Sequence, residues 1–178
     1  MRKALDLVYR GSGILAATFL AAICLIVLAQ VVANIIDAVA GWLTGSPIGL
    51  VIPSYAEFAG FFLAASSFLA LAYALRAGAH IRVNLLIRHF STGPRRGAEL
   101  WCTGAGAVMA GYFAWYTVLL TAESLQYNDL SPGMIPVPLW IPQTAMAAGL
   151  IVLTIALVDS FVEVLRGRTP SYGDGDGG

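Results

Sequence analysis

Residues able to do chemistry are few in this chain, and most are gathered in one stretch, RAGAHIRVNLLIRHFSTGPRR, from Arg76 to Arg96. The stretch holds both histidines, His80 and His89, and five of the ten basic residues: Arg76, Arg82, Arg88, Arg95 and Arg96. The two imidazoles lack the cysteine or carboxylate neighbours that would complete a metal site. Ser66, Ser67 and Ser160 have no histidine in the same helix region, so no nucleophile–base pair is expected. A membrane haem would need histidines on facing helices, and the apolar runs contain none. Cys24 and Cys102, far apart inside apolar runs, read as small buried hydrophobes. Neither an enzyme nor a cofactor is expected. If the middle of the stretch is helical, Val83, Leu86, Ile87 and Phe90 form an apolar stripe at i, i+3, i+4, i+7. His80, Asn84 and Arg88 fall on another face. A short basic amphipathic helix suits the boundary between membrane and cytoplasm. Arg76, Arg88, Arg95 and Arg96 are placed to meet lipid headgroups and to hold the loop on the cytoplasmic side.

The elements that position this stretch are four apolar runs. Of 178 residues, 58% are hydrophobic and 11% charged, against about 25% charged in an ordinary soluble domain. No basic tract with interleaved aromatics suggests nucleic-acid binding. Gly11 to Ile36, Gly60 to Leu75, Leu100 to Ala122 and Leu130 to Val158 carry no charge. A spanning helix needs about 20 apolar residues, and backbone in lipid must pair with itself. The chain is therefore expected to be an all-α integral membrane protein with four transmembrane helices, the second over roughly Tyr55 to Leu75. The N-terminal run is too long for the h-region of a signal peptide, about 7–15 residues, and reads as a retained first helix. Residues 1–168 are expected to form one membrane domain and residues 169–178 a disordered cytoplasmic tail.

Charge gives the orientation. Arg2, Lys3 and Arg10 precede helix one, five arginines lie between helices two and three, and Arg166 and Arg168 follow helix four. The other side has Asp37, Glu57, Glu123 and Asp129 and no basic residue. The positive-inside rule puts both termini in the cytoplasm. On the outer side, Gly45, Pro47, Gly49 and Pro53 mark one loop, and Pro132, Gly133, Pro136 and Pro138 the other. Trp42, Tyr55, Tyr127 and Trp140 fit an aromatic belt. Small residues recur at helix-packing spacing: Ala56, Gly60 and Ala64; Thr103, Ala107 and Gly111; Ala145 and Gly149.

The middle of the bilayer is left without ionisable groups, which normally mark ion or substrate paths. Gln30 and Asn34 stand at i, i+4 in helix one. They read either as interhelical hydrogen-bonding groups facing a partner or as a helix end rising into the outer headgroups. Glu57 either complements the positive end of helix two or contacts another subunit. A chain without a charged path or a broken helix is a poor pump or carrier by itself. The alternatives are a small oligomeric channel or exporter, which would need a polar stripe, and a non-catalytic subunit of a membrane enzyme complex.

Four helices with both ends inside, Glu57 opening helix two, and the exit LRAGAHIRVNLL resemble the small membrane subunit, DctQ type, of TRAP transporters. That family's exit has a small residue, His, an aliphatic, Arg, Val and an acidic or amide residue. The matching positions are Ala79, His80, Ile81, Arg82, Val83 and Asn84, the last often Asp in the family. Pro138, Trp140 and Pro142 also fit, and the resemblance covers about residues 5–165. It implies a scaffold subunit of a bacterial or archaeal secondary importer, usually sodium-driven and commonly for an organic acid. The implied partners are a large substrate-translocating membrane subunit, a periplasmic substrate-binding protein and membrane lipids. Glu57, His80, Arg82, Val83, Asn84 and Trp140 are the interface or motif residues it implies.

Overall fold

The computed structural model describes residues 2–77 and 92–166, with side chains over 5–77 and 97–166. They form four helices: α1 (Arg2–Thr44), α2 (Tyr55–Arg76), α3 (Thr92–Tyr127) and α4 (Trp140–Leu165). All four are long and apolar enough to cross a membrane. The expected amphipathic helix around Val83 to Phe90 and the tail 169–178 lie outside the described residues.

The second helix has the bounds its sequence suggests, but α1 overshoots its uncharged run. It has 43 residues, roughly 65 Å at the helical rise, about twice the hydrocarbon thickness of a bilayer. Asp37 does not end it, because one carboxylate near a helix end is no breaker. It stops where Gly45 turns into the left-handed region at φ 76°. The loop then folds back along α1: Gly49 N–H donates to Asp37 Oδ1 at 2.7 Å, and Ile52 N–H to Gln30 Oε1 at 2.8 Å.

The helices stand in the spatial order α1, α2, α4, α3, each packing mainly on its neighbour in that row, with only slight contact between α1 and α4. The inward residues of α1 are Tyr9, Ser12, Ala16, Phe19, Ile23, Ile26, Gln30, Ala33 and Asp37. They alternate steps of three and four, the seam of a near-antiparallel helix pair. Against α2, the Phe19 and Phe62 rings lie 5.6 Å apart, and the Ser12 hydroxyl donates to the Leu69 carbonyl.

Glycine sets the closest crossing. A Cβ on Gly149 of α4 would lie 2.5 Å from the Phe68 carbonyl carbon, 2.6 Å from its oxygen and 2.9 Å from Leu69 N. These are backbone atoms of α2, so the two central helices touch main chain to main chain, as small residues permit in lipid. On the other side of α4, Gly104 meets Phe161 and Gly111 meets Thr154.

Two expectations about packing need correction. The spacing of Ala56, Gly60 and Ala64 suggests a packed stripe on α2, yet Ala56 and Gly60 are exposed, and open space surrounds Gly60. The buried face of α2 is Ala65, Ser66, Leu69 and Ala72. Alanine and glycine are common on every side of this helix, so spacing alone does not select the packed one. Cys24 and Cys102 are free and exposed on outward faces rather than buried. A thiol is apolar enough to stand on either side of a membrane helix.

Candidate functional site

At the end of the bundle where α2 and α4 begin, two loops are tied down by polar side chains. Ser-Tyr-Ala-Glu at 54–57 has the spacing of a capping box, but the serine hydroxyl does not cap. Ser54 takes φ 57°, and its carbonyl accepts the N–H groups of Glu57 and Phe58 at 3.0 and 3.1 Å. Its Oγ instead accepts Ile135 N–H at 3.0 Å from the loop between α3 and α4. That loop closes on itself. Ser131 N–H donates to the Val137 carbonyl at 2.9 Å, and Leu139 N–H to the Asp129 carbonyl at 2.9 Å. The buried Ser131 Oγ accepts Val137 N–H at 3.0 Å. The loop tip rests on Glu57, whose carboxylate lies against Gly133 and would have to move aside for any Cβ there. Glu57 Oε2 meets no hydrogen-bond donor among the described residues.

Gln30 and Asn34 belong to the same end. Gln30 Nε2 donates to Asn34 Oδ1 at 2.8 Å within α1, while Gln30 Oε1 takes the Ile52 N–H. The bonds run inside the helix and to its own loop rather than between helices, because the loop folding back along α1 reaches Gln30 first. Trp140 opens α4 and is half-buried. Pro138 lies just before the helix rather than in it, and Pro142 is its third residue. There a missing N–H has no intrahelical carbonyl to lose.

At the opposite end one arginine joins three helices. Arg76, the last residue of α2, reaches Asp6 Oδ1 on α1 at 2.8 Å and Asp159 Oδ2 on α4 at 3.4 Å. Its guanidinium lies 5.0 Å from the centre of the Tyr9 ring, within cation–π range. The side chain is 13% exposed. Arg76, expected among the lipid headgroups, thus lies inside the bundle end. Tyr9, Ala72 and Ala156 form the apolar floor beneath it, with Leu5, Leu75 and Val152 around them. Sequence reading missed this junction, since Asp6 and Asp159 look like ordinary charges at helix ends. The available signal was that Arg76 alone among the arginines of its stretch is contiguous with an apolar run.

His80, Arg82, Val83, Asn84 and Arg88 lie outside the described residues. Arg95 and Arg96 fall in the first turns of α3, and their side chains lie outside the described set. Of the sequence candidates, the structure brings Gln30 and Asn34 together, and places Glu57 in the first turn of α2 under the loop that leads to Trp140.

Asp6 and Asp159 share one arginine, so α1 starts where α4 ends, and both ends of the described chain lie on one side of the bundle. The fold and its two fastened ends define a multi-pass membrane bundle whose described charges all stand toward the helix ends. The family model for the DctQ component of tripartite ATP-independent periplasmic transporters matches residues 23–167, and the chain belongs to that family as the small membrane component of a TRAP transporter. In this family the small component works with a large membrane subunit and a periplasmic binding protein. No curated protein matches the chain.

Proposed function

We propose that this chain is the fixed scaffold of a sodium-driven organic-acid importer in a bacterial inner membrane, with both termini cytoplasmic. The observation that carries this reading is the fastening of the bundle at both ends: Arg76 across α1, α2 and α4 at one, Ser54 and Glu57 under the α3–α4 loop at the other. A body tied in this way resists deformation while a neighbouring subunit moves the substrate. Glu57 supports the α3–α4 loop from beneath, and that loop meets the large subunit or the binding protein at the outer end. Trp140 stands next to the same loop. His80, Arg82, Val83 and Asn84 serve the corresponding contact on the cytoplasmic side. Arg88, Arg95 and Arg96 meet anionic headgroups there, at about 1 kcal/mol each.

An affinity tag on this chain should retain the large subunit through detergent extraction, in a fixed ratio. Recovery of the chain only as a homo-oligomer, with the large subunit left behind, would instead support a small channel. Orientation has its own test. In a background with Cys24 and Cys102 replaced, Ser46→Cys and Met134→Cys occupy exposed positions in the two loops that this topology puts outside. They should react with an impermeant thiol reagent on intact cells. Ser91→Cys and Ser171→Cys should react only after the membrane is opened; their labelling on intact cells would invert the topology.

A further inference from the structure

The uncharged windows of the four helices are not level with one another. In α3 the window 100–122 lies between Glu99 and Glu123 and centres on Gly111. In α1 the window 11–36 lies between Arg10 and Asp37 and centres between Ile23 and Cys24. Glycine contacts carry the level of one helix to the next. Gly111 meets Thr154 of α4, and one and a half turns back along α4 Gly149 sits against Phe68 and Leu69 of α2. The same stretch further along α2 comes Tyr73, whose ring lies against Gly13 of α1. The centre of the α3 window is therefore level with Gly13, roughly 16 Å along α1 from the centre of the α1 window. The centres of the other two windows fall between these extremes. Gly149 in α4 (140–158) and Ser66 with Ser67 in α2 (58–75) lie about 7 and 10 Å from the level of Gly111, toward the end where α2 and α4 begin. The step follows the row α1, α2, α4, α3.

Lipid acyl chains exclude charge, so the hydrocarbon layer follows the windows and cuts the row at a slant. A step of roughly 16 Å across three interhelical spacings of about 8–10 Å is a slope of about 30°. Window length gives a similar angle independently. The windows are roughly 39 Å long in α1 and 35 Å in α3, and such lengths cross about 30 Å of hydrocarbon at about 30–40°. Spanning helices tilt by about 0–40°. The windows of α2 and α4 are shorter, but the charges bounding them are held by protein. Arg76 pairs with Asp6 and Asp159, and Glu57 lies beneath the α3–α4 loop. An upright row would sink the exposed Glu123 into the acyl chains and lift the exposed Val32, Ile35 and Ile36 out of them. We infer that the row crosses the bilayer slanted by about 30° within its own plane, and that acyl chains cover a diagonal band from Val32 and Ile35 on α1 to Val108 on α3. The slant also brings Trp101, 76% exposed, to the interface opposite Asp37, where indole rings are favoured. The inference needs the chain to span a membrane but is independent of its partner subunits and of which end is cytoplasmic.

The test is the depth of nitroxide labels on the full-length chain in phosphatidylcholine bilayers, read from their relative exposure to oxygen and to a water-soluble nickel chelate. One label goes on the native Cys24 with Cys102 replaced. The others go on Leu15→Cys, Val108→Cys and Leu120→Cys with both native cysteines replaced. All four positions are exposed, so the labels leave the packing alone, and each variant should melt as its unlabelled parent does. In the slanted row Cys24 and Val108 lie within about 5 Å of the midplane, and Leu15 and Leu120 about 10 Å from it. An upright row reverses that ranking, with Leu15 and Leu120 the deeper pair, and this result would overturn the slant while leaving the spanning helices intact. Free access of the nickel chelate to all four labels would overturn the membrane span itself and the slant with it.

Discussion

Liposomes carrying this chain alone are expected to take up no organic acid under an imposed sodium gradient. Moving a charged solute through lipid requires polar or ionisable groups at depth, usually at broken helices near the midplane. Residues 11–36, 58–75, 100–122 and 140–158 contain no Asp, Glu, Lys or Arg, and each lies within an unbroken helix long and apolar enough to cross a membrane. Several hydroxyls between the ends are already used by the chain. Ser12 donates to Leu69, Thr154 to the Leu150 carbonyl at 2.8 Å and Ser160 to the Ala156 carbonyl at 2.9 Å. Uptake should appear when the large subunit and the binding protein are both added. It should fall to background when any one of the three is left out. Sodium-driven uptake by this chain alone would refute the scaffold, and full uptake by the other two without it would make the chain an accessory.

Gly149→Leu is expected to separate the two central helices. The new side chain would start inside the backbone of Phe68 and Leu69, which no rotamer change can relieve. Overpacking a core costs about 1–3 kcal/mol or more, and every ~1.4 kcal/mol is tenfold in the folded ratio. The purified chain in detergent should melt well below wild type, and Gly149→Ala should move the same way by less. Gly60→Ala is the control, because its Cβ enters open space and alanine favours helix. Its melting temperature should match or slightly exceed that of wild type. Unchanged melting of Gly149→Leu would mean that α2 and α4 do not cross at this glycine.

Sequence and structure part company at these two glycines. Gly60 and Gly149 occupy similar small-residue patterns, yet one faces outward and the other makes the closest helix-to-helix approach among the described residues. In water, hydrophobic periodicity would tell them apart. In a lipid-spanning helix every face is apolar, so the pattern that reveals the span erases the clue to its neighbours. The four spans, the start of α2 at Tyr55 and the placement of charge at helix ends were legible for the same reason, since lipid excludes charge from the middle. The pairing of Arg76 with Asp6 and Asp159 was not legible. It joins residues 70 and 83 positions apart, and only the row order of the helices brings them together. The role of Ser54 was hidden in another way. Its capping-box spacing is real, but the loop carrying Ile135 competes for the hydroxyl and wins.

The row α1, α2, α4, α3 does not follow the order of synthesis, and this bears on biogenesis. When the ribosome has made three helices, α1 and α2 can already pair, but α3 has no surface to settle on. Its glycine-lined side, with Gly104, Gly106 and Gly111, waits for α4. The last helix inserted is thus the keystone, wedged between an early hairpin and an orphan. A chain interrupted before Trp140 leaves a hairpin and an unattached third helix, the kind of solitary span that membrane proteases remove. Completion of translation, rather than insertion of each span, is the moment at which this subunit becomes a single body.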